Sequence, residues 1–98
     1  MDGINVIAEE KRRRILQIVW DEERSAGEIA DAFDVTFGAI SQHLAVLRDA
    51  GFVTVRQEGR SRYYRTNHDG LGPDRSMLEA MWTAKLDQLA AAVEEDQP

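Results

Sequence analysis

The chain has 98 residues, 12 Lys plus Arg against 18 Asp plus Glu, a formal net charge of −6 and no cysteine. That length allows one compact domain, 1–98, and the missing cysteine excludes a disulfide framework, a thiolate metal site and a cysteine nucleophile. No apolar run approaches a membrane span, the start lacks a signal-peptide layout, and the acidic balance by itself argues against nucleic acid, so a soluble cytoplasmic protein is expected.

Residues 4–20 read as a helix. Ile7, Ile15 and Ile18 share one face, and Leu16 and Trp20 lie near the opposite one. A helix apolar on two sides is usually covered on both, here by its own domain and by a second partner. The Lys11-Arg12-Arg13-Arg14 run beside Glu9 and Glu10 reads as a solvated face. Ser25-Ala26-Gly27-Glu28 has the spacing of a capping box, opening a short helix that runs to about Phe33. After a tight break at Asp34-Val35-Thr36, Thr36 is a fair N-cap for a helix over 37–50, and Gly51 fits the C′ position beyond it. On this third helix Ile40, Leu44 and Leu47 fall within about 60° of one another on a 3.6-residue wheel. Phe37 flanks that inward stripe, while Gly38, Gln42, Ala45 and Asp49 lie opposite. Two short helices joined by a three-residue turn, the second with a small-residue outward face, have the layout of a helix-turn-helix over 25–51.

β-Branched and aromatic residues in 52–57 and 61–66 flank Glu58-Gly59-Arg60, which predicts a hairpin wing over 52–66. Strand alternation points one of Tyr63 and Tyr64 inward. Residues 67–73 read as a turn-rich connector. A last helix is expected from Asp74 or Ser76 to about Glu95, with Ser76 and Glu79 as a second capping box and Leu78, Trp82, Leu86, Leu89 and Val93 as one stripe. The architecture expected is therefore mostly α with a β-hairpin wing, in the order helix, helix, helix, hairpin, helix.

Charge follows this order. Residues 1–37 carry 5 basic and 9 acidic side chains (net −4), residues 38–66 carry 5 and 2 (net +3), and residues 67–98 carry 2 and 7 (net −5). All five cations of the middle segment are arginines, whose planar fork suits phosphate better than a lysine does. The acidic total thus resolves into a basic middle, holding the outward helix and the wing, between two acidic flanks.

Glu28-Ile29-Ala30, Ile40-Ser41-Gln42-His43-Leu44, Leu47-Arg48-Asp49-Ala50-Gly51-Phe52-Val53 and Gly59-Arg60-Ser61-Arg62-Tyr63-Tyr64 together resemble the ArsR/SmtB-type winged-helix repressors. The likeness covers about residues 12–66, with the end helices matching loosely. It implies a homodimer that represses transcription by binding a double-stranded DNA operator. It also implies dimerisation helices at 1–22 and 74–95, which put Ile4, Ile7, Leu78, Trp82, Leu86 and Leu89 at the interface.

In that setting Gln42 is the best base reader, since its amide can pair bidentately with adenine. Gly38 and Ala39 let the helix approach closely, Ala39 can also meet a thymine methyl, and Thr36 and Ser41 can bond phosphate. Phe37 is expected to wedge against the second helix. Arg56, Arg60 and Arg62 are expected on phosphates or near the minor groove, where contacts give register rather than sequence choice. Paired recognition helices about 34 Å apart predict a palindromic operator.

Many relatives of this type sense metals, but the site types they use need cysteines or His and carboxylate ligands on the last helix. Residues 76–95 hold no His. His43 reads as structural, and His68 with Asp69 supplies too few ligands for zinc. A non-metal-sensing member with no cofactor is expected, and the sequence leaves its effector open. The alternatives are a metal-responsive repressor with an atypical site, or a winged-helix module whose acidic helices bind a basic protein. No nucleophile triad, phosphate loop or paired-carboxylate site supports an enzyme.

Overall fold

The computed structural model describes residues 3–95, with side chains described through residue 84. In chain order the elements are α1 (Gly3–Ile7), α2 (Glu10–Ile18), β1 (Arg24–Ser25), α3 (Ala26–Asp31), α4 (Phe37–Asp49), β2 (Val53–Glu58), β3 (Ser61–Thr66), α5 (His68–Leu71) and α6 (Asp74–Glu95). No helix among the described residues is long and apolar enough to cross a membrane.

The single helix expected over 4–20 is two. Glu9 adopts an extended conformation and its carboxylate accepts from the Lys11 amide at 3.1 Å, capping α2. Arg13, expected on a solvated face, reaches back instead: its Nη1 donates to the carbonyls of Ile7 (2.8 Å) and Ala8 (3.0 Å), the groups left open where α1 ends. The second partner expected for α2 is not needed along most of its length. Ile15, Leu16 and Val19 are all fully buried within the protomer, between α4 on one flank and the end of the sheet on the other.

The helix-turn-helix forms as its caps predict. The Glu28 amide donates to Ser25 Oγ (3.2 Å) and the Ser25 amide to Glu28 Oε1 (3.0 Å), closing the capping box of α3. The Ala39 amide donates to Thr36 Oγ1 at 3.1 Å to start α4. The end of α4 is a Schellman motif: Gly51 takes φ 80°, its amide bonds Arg48 O at 2.9 Å, and the Phe52 amide bonds Leu47 O at 2.9 Å. Leu47 and Phe52 are both buried beside it, alongside Ile40 and Leu44 from the inward stripe.

β2 and β3 pair antiparallel from Val53↔Thr66 to Glu58↔Ser61, leaving Gly59-Arg60 as a two-residue loop. Positive φ falls only on the first loop position, Gly59 at 61°, the II′ type that suits hairpin twist. A third strand was not foreseen. β1 pairs with β3 (Arg24↔Tyr64, Ser25↔Tyr63), so the order is β1-β3-β2 with β3 central. Tyr64 is the inward tyrosine of the pair, buried in the core.

The connector 67–73 contains the short helix α5, which packs against the end of α4. The Asn67 amide bonds Phe52 O at 2.9 Å and its side-chain amide bonds Gly51 O at 3.1 Å. Leu71 is buried beneath. α6 starts at Asp74, so the expected capping box at Ser76 does not form. Ser76 lies inside the first turn, and Glu79 accepts from Arg75 Nε at 3.0 Å.

A Cβ on Gly70 would collide with the backbone carbonyl oxygen of Gly51, which has no freedom to move because it accepts from Asn67. Gly70→Ala is expected to cost about 1–3 kcal/mol of unfolding free energy in a urea titration. Unchanged stability would show that α5 does not clamp the end of α4.

Candidate nucleic-acid interface

Ile40, Leu44 and Leu47 anchor α4 in the core, and the opposite side is open. Thr36, Gly38, Ser41 and Gln42 are exposed and Ala39 is half-buried. Gly38 is not imposed by packing: a Cβ there would meet only Thr36 Oγ1, at 4.0 Å. Gly38 and Ala39 therefore leave a low surface in the first turn of α4 that another molecule can approach closely.

Phe37 does not wedge inward. Its side chain is 57% exposed, and Phe33 is the aromatic that packs against the core from this region, with the Arg14 guanidinium 5.2 Å from its ring centre. Phe37 is the first residue of α4, and the core stripe begins only at Ile40, so the neighbours needed to cover it are not there.

His43 is half-buried on the flank of α4. Burial first, then the Arg12 charge, hold its pKa below the ordinary histidine value, against the opposing pull of Glu9. This agrees with a packing histidine. Glu9 is held below the usual carboxylate range chiefly by the Lys11 amide.

The wing separates its arginines by face. Arg56 lies opposite Tyr63, and Arg62 opposite Gln57 on the other side of the sheet, the side that carries Tyr64 and Thr66. Arg56, expected on phosphate, is already occupied. Its Nη2 and Nε donate to both oxygens of Glu23 (2.7 and 3.1 Å), its Nη1 donates to Glu58 (3.2 Å), and its guanidinium lies 4.8 Å from the Tyr63 ring centre. The two carboxylates raise the Arg56 pKa further, and the bonded arginine lowers that of Glu23. Arg56 is thus a strut from the wing to the segment ahead of β1. The side chains of Arg60 and Arg62 are exposed and make no ion pair or hydrogen bond among the described residues. They are the cations of the wing tip that remain available.

Two residues expected at a dimer interface are enclosed by the protomer itself: Ile7 is 4% exposed and Leu78 fully buried, because α1 and the start of α6 close the core. Ile4 is 62% exposed. Trp82 is half-buried, edge-on to Trp20 at 4.8 Å. The side chains of Leu86, Leu89 and Val93 lie outside the described residues. Beside Trp82, Met77 and Met81 are 40% and 42% exposed. Met77 and Met81 stand at i,i+4 spacing on α6, a pairing the sequence carries openly. His68, weighed as a metal ligand, uses Nε2 to donate to Trp20 O at 2.8 Å, with its ring 4.4 Å from that of Trp20.

Residues 9–55 match the family model described as bacterial regulatory protein, arsR family. The transcriptional activator HlyU of Vibrio cholerae is 38% identical over 61 residues, which are 62% of this chain and 56% of that protein. The transcriptional repressor SdpR of Bacillus subtilis is 33% identical over 61 residues, 62% of this chain and 68% of that protein. A crystal structure described as a possible transcriptional regulator for arsenical resistance superposes with a TM-score of 0.73 at 41% identity, covering 94% of this chain and 96% of that one.

The split among the wing arginines has a direct readout in the salt dependence of DNA affinity. Arg60→Ala and Arg62→Ala are each expected to flatten the slope of log K against log salt by about one unit per wing in contact. Arg56→Ala should leave the slope unchanged while lowering affinity through a loosened wing. A full unit of slope lost at Arg56 would place its guanidinium on phosphate.

Proposed function

The chain belongs to the ArsR family of bacterial regulatory proteins and is a DNA-binding transcriptional regulator, and we propose that it is a homodimeric repressor that sets α4 in the major groove of a palindromic operator. The observation that carries this reading is the open first turn of α4, where Thr36, Gly38, Ser41 and Gln42 are exposed beside the half-buried Ala39. Gln42 reads a base, its amide able to pair with adenine N6 and N7. Thr36 and Ser41 bond phosphate, with Thr36 also keeping its cap. Arg60 and Arg62 add backbone contacts from the wing. Repression then follows from occupancy, since a dimer on its operator excludes the polymerase from the same duplex. SdpR, named a repressor, supports this direction.

In this reading residues 25–51 are the reading unit, 52–66 the wing, and 1–22 with 74–95 the scaffold that joins two copies. Exposed Ile4, Met77 and Met81 support a dimer surface on α1 and α6, because methionine is enriched in the centres of such interfaces. Trp82 backs that surface through Trp20. The protein works in the cytoplasm, where the chromosome is, and does not sense metals. The absence of cysteine from the sequence supports the latter.

Gln42→Ala is expected to weaken binding to the selected operator by about tenfold and to unrelated duplex by less than about twofold in a fluorescence titration. An equal loss on both would remove Gln42 from base reading. Met81→Arg is expected to convert a dimer into an 11.1 kDa monomer on size exclusion with light scattering. A dimer that persists would place the interface elsewhere.

A further inference from the structure

Between Thr36 and Ile40, Phe37 is the only large side chain, and it stands in water. Thr36 already caps the helix, so the aromatic ring has no local role in starting α4. Leaving it exposed forgoes the burial that an aromatic ring otherwise contributes to a core.

Direction, position and chemistry select what covers it. Every Cα–Cβ bond of a helix tilts toward the N-terminus, so Phe37 reaches ahead of α4 toward whatever that end meets. In a helix-turn-helix it is the N-terminal residues of the second helix that contact base edges. A phenyl ring offers no donor or acceptor, and the apolar group on major-groove base edges is the C5-methyl of thymine. Gly38 and Ala39 leave room beside the ring for the groove wall, with the space over Gly38 open.

We propose that Phe37 is a specificity-determining residue that packs on the C5-methyl of one thymine in each operator half-site. The proposal rests on the reading of α4 as the helix in the groove. It gives the first turn of α4 an apolar reader ahead of Gln42, so each half-site is read by one methyl contact and one amide contact.

The test selects duplexes from a randomised library with the wild-type protein and with Phe37→Ala. Each thymine of the wild-type site is then replaced singly by deoxyuridine, which removes the methyl and leaves the pairing edge intact. One thymine per half-site should be enriched by the wild type and not by Phe37→Ala. Deoxyuridine there should weaken the wild type by about fivefold and the variant by less than about 1.5-fold. Phe37→Leu, which keeps an apolar group, should retain part of the preference. Selection of the same site by wild type and Phe37→Ala, or equal weakening of both by deoxyuridine, would overturn the proposal. If the wild type enriches no sequence even at low salt, the placement of α4 in the groove fails first, and the role of Phe37 falls with it.

Discussion

The C-terminal end of α2 is tied down by groups that arrive about 50 residues later in the chain. A helix ends in carbonyls that no residue of its own can satisfy. Here Leu16 O accepts from Thr66 Oγ1 (3.2 Å), Val19 O from the Thr66 amide (3.0 Å) and Trp20 O from His68 Nε2 (2.8 Å). Thr66 is buried, so losing one of these bonds would cost about 1–3 kcal/mol for the stranded polar group. The bonds fasten the end of the sheet to α2. Ile15, Leu16 and Val19 gain cover on both flanks, and α4 meets a core wall whose position is already set.

What was legible in the sequence was local. Ser25, Thr36 and Gly51 each act on amides or carbonyls within a few residues, so their spacing alone announces the boundaries they make. The hairpin register follows from Gly59 in the same way. The features that escaped depend on distant partners. The break between α1 and α2 is secured by Arg13 folding back on Ile7 and Ala8, and the turn-like composition of 67–71 hides a helix because Asn67 and Gly70 are shaped by Gly51 O. A two-residue strand such as β1 has no periodicity to detect. The apolar faces of α2 suggested a second chain because a wheel cannot show that one chain wraps both sides.

The candidate site divides on the same ground. Exposure of Thr36, Gly38, Ser41 and Gln42 follows from the inward stripe of α4, which the wheel fixes. Phe37 misleads because its angle places it beside that stripe, whereas its height along the helix places it past the end of the core. Arg56 misleads because Glu23 is 33 residues away in sequence and only the β1–β3–β2 sheet brings the two together. With Arg56 neutralised internally and a net charge of −6 per chain, long-range attraction to DNA is weak. In the proposed reading, close fit at the first turn of α4 supplies what charge does not.

Ser25 belongs to two elements at once. It is paired with Tyr63 in the central strand of the sheet and it caps α3, while Glu23 two residues earlier holds Arg56 of the wing. Ser25 therefore ties the helix-turn-helix to the wing with bonds on both sides, in addition to the direct run of α4 into β2 through Gly51 and Phe52. Wing and helix behave as one jaw.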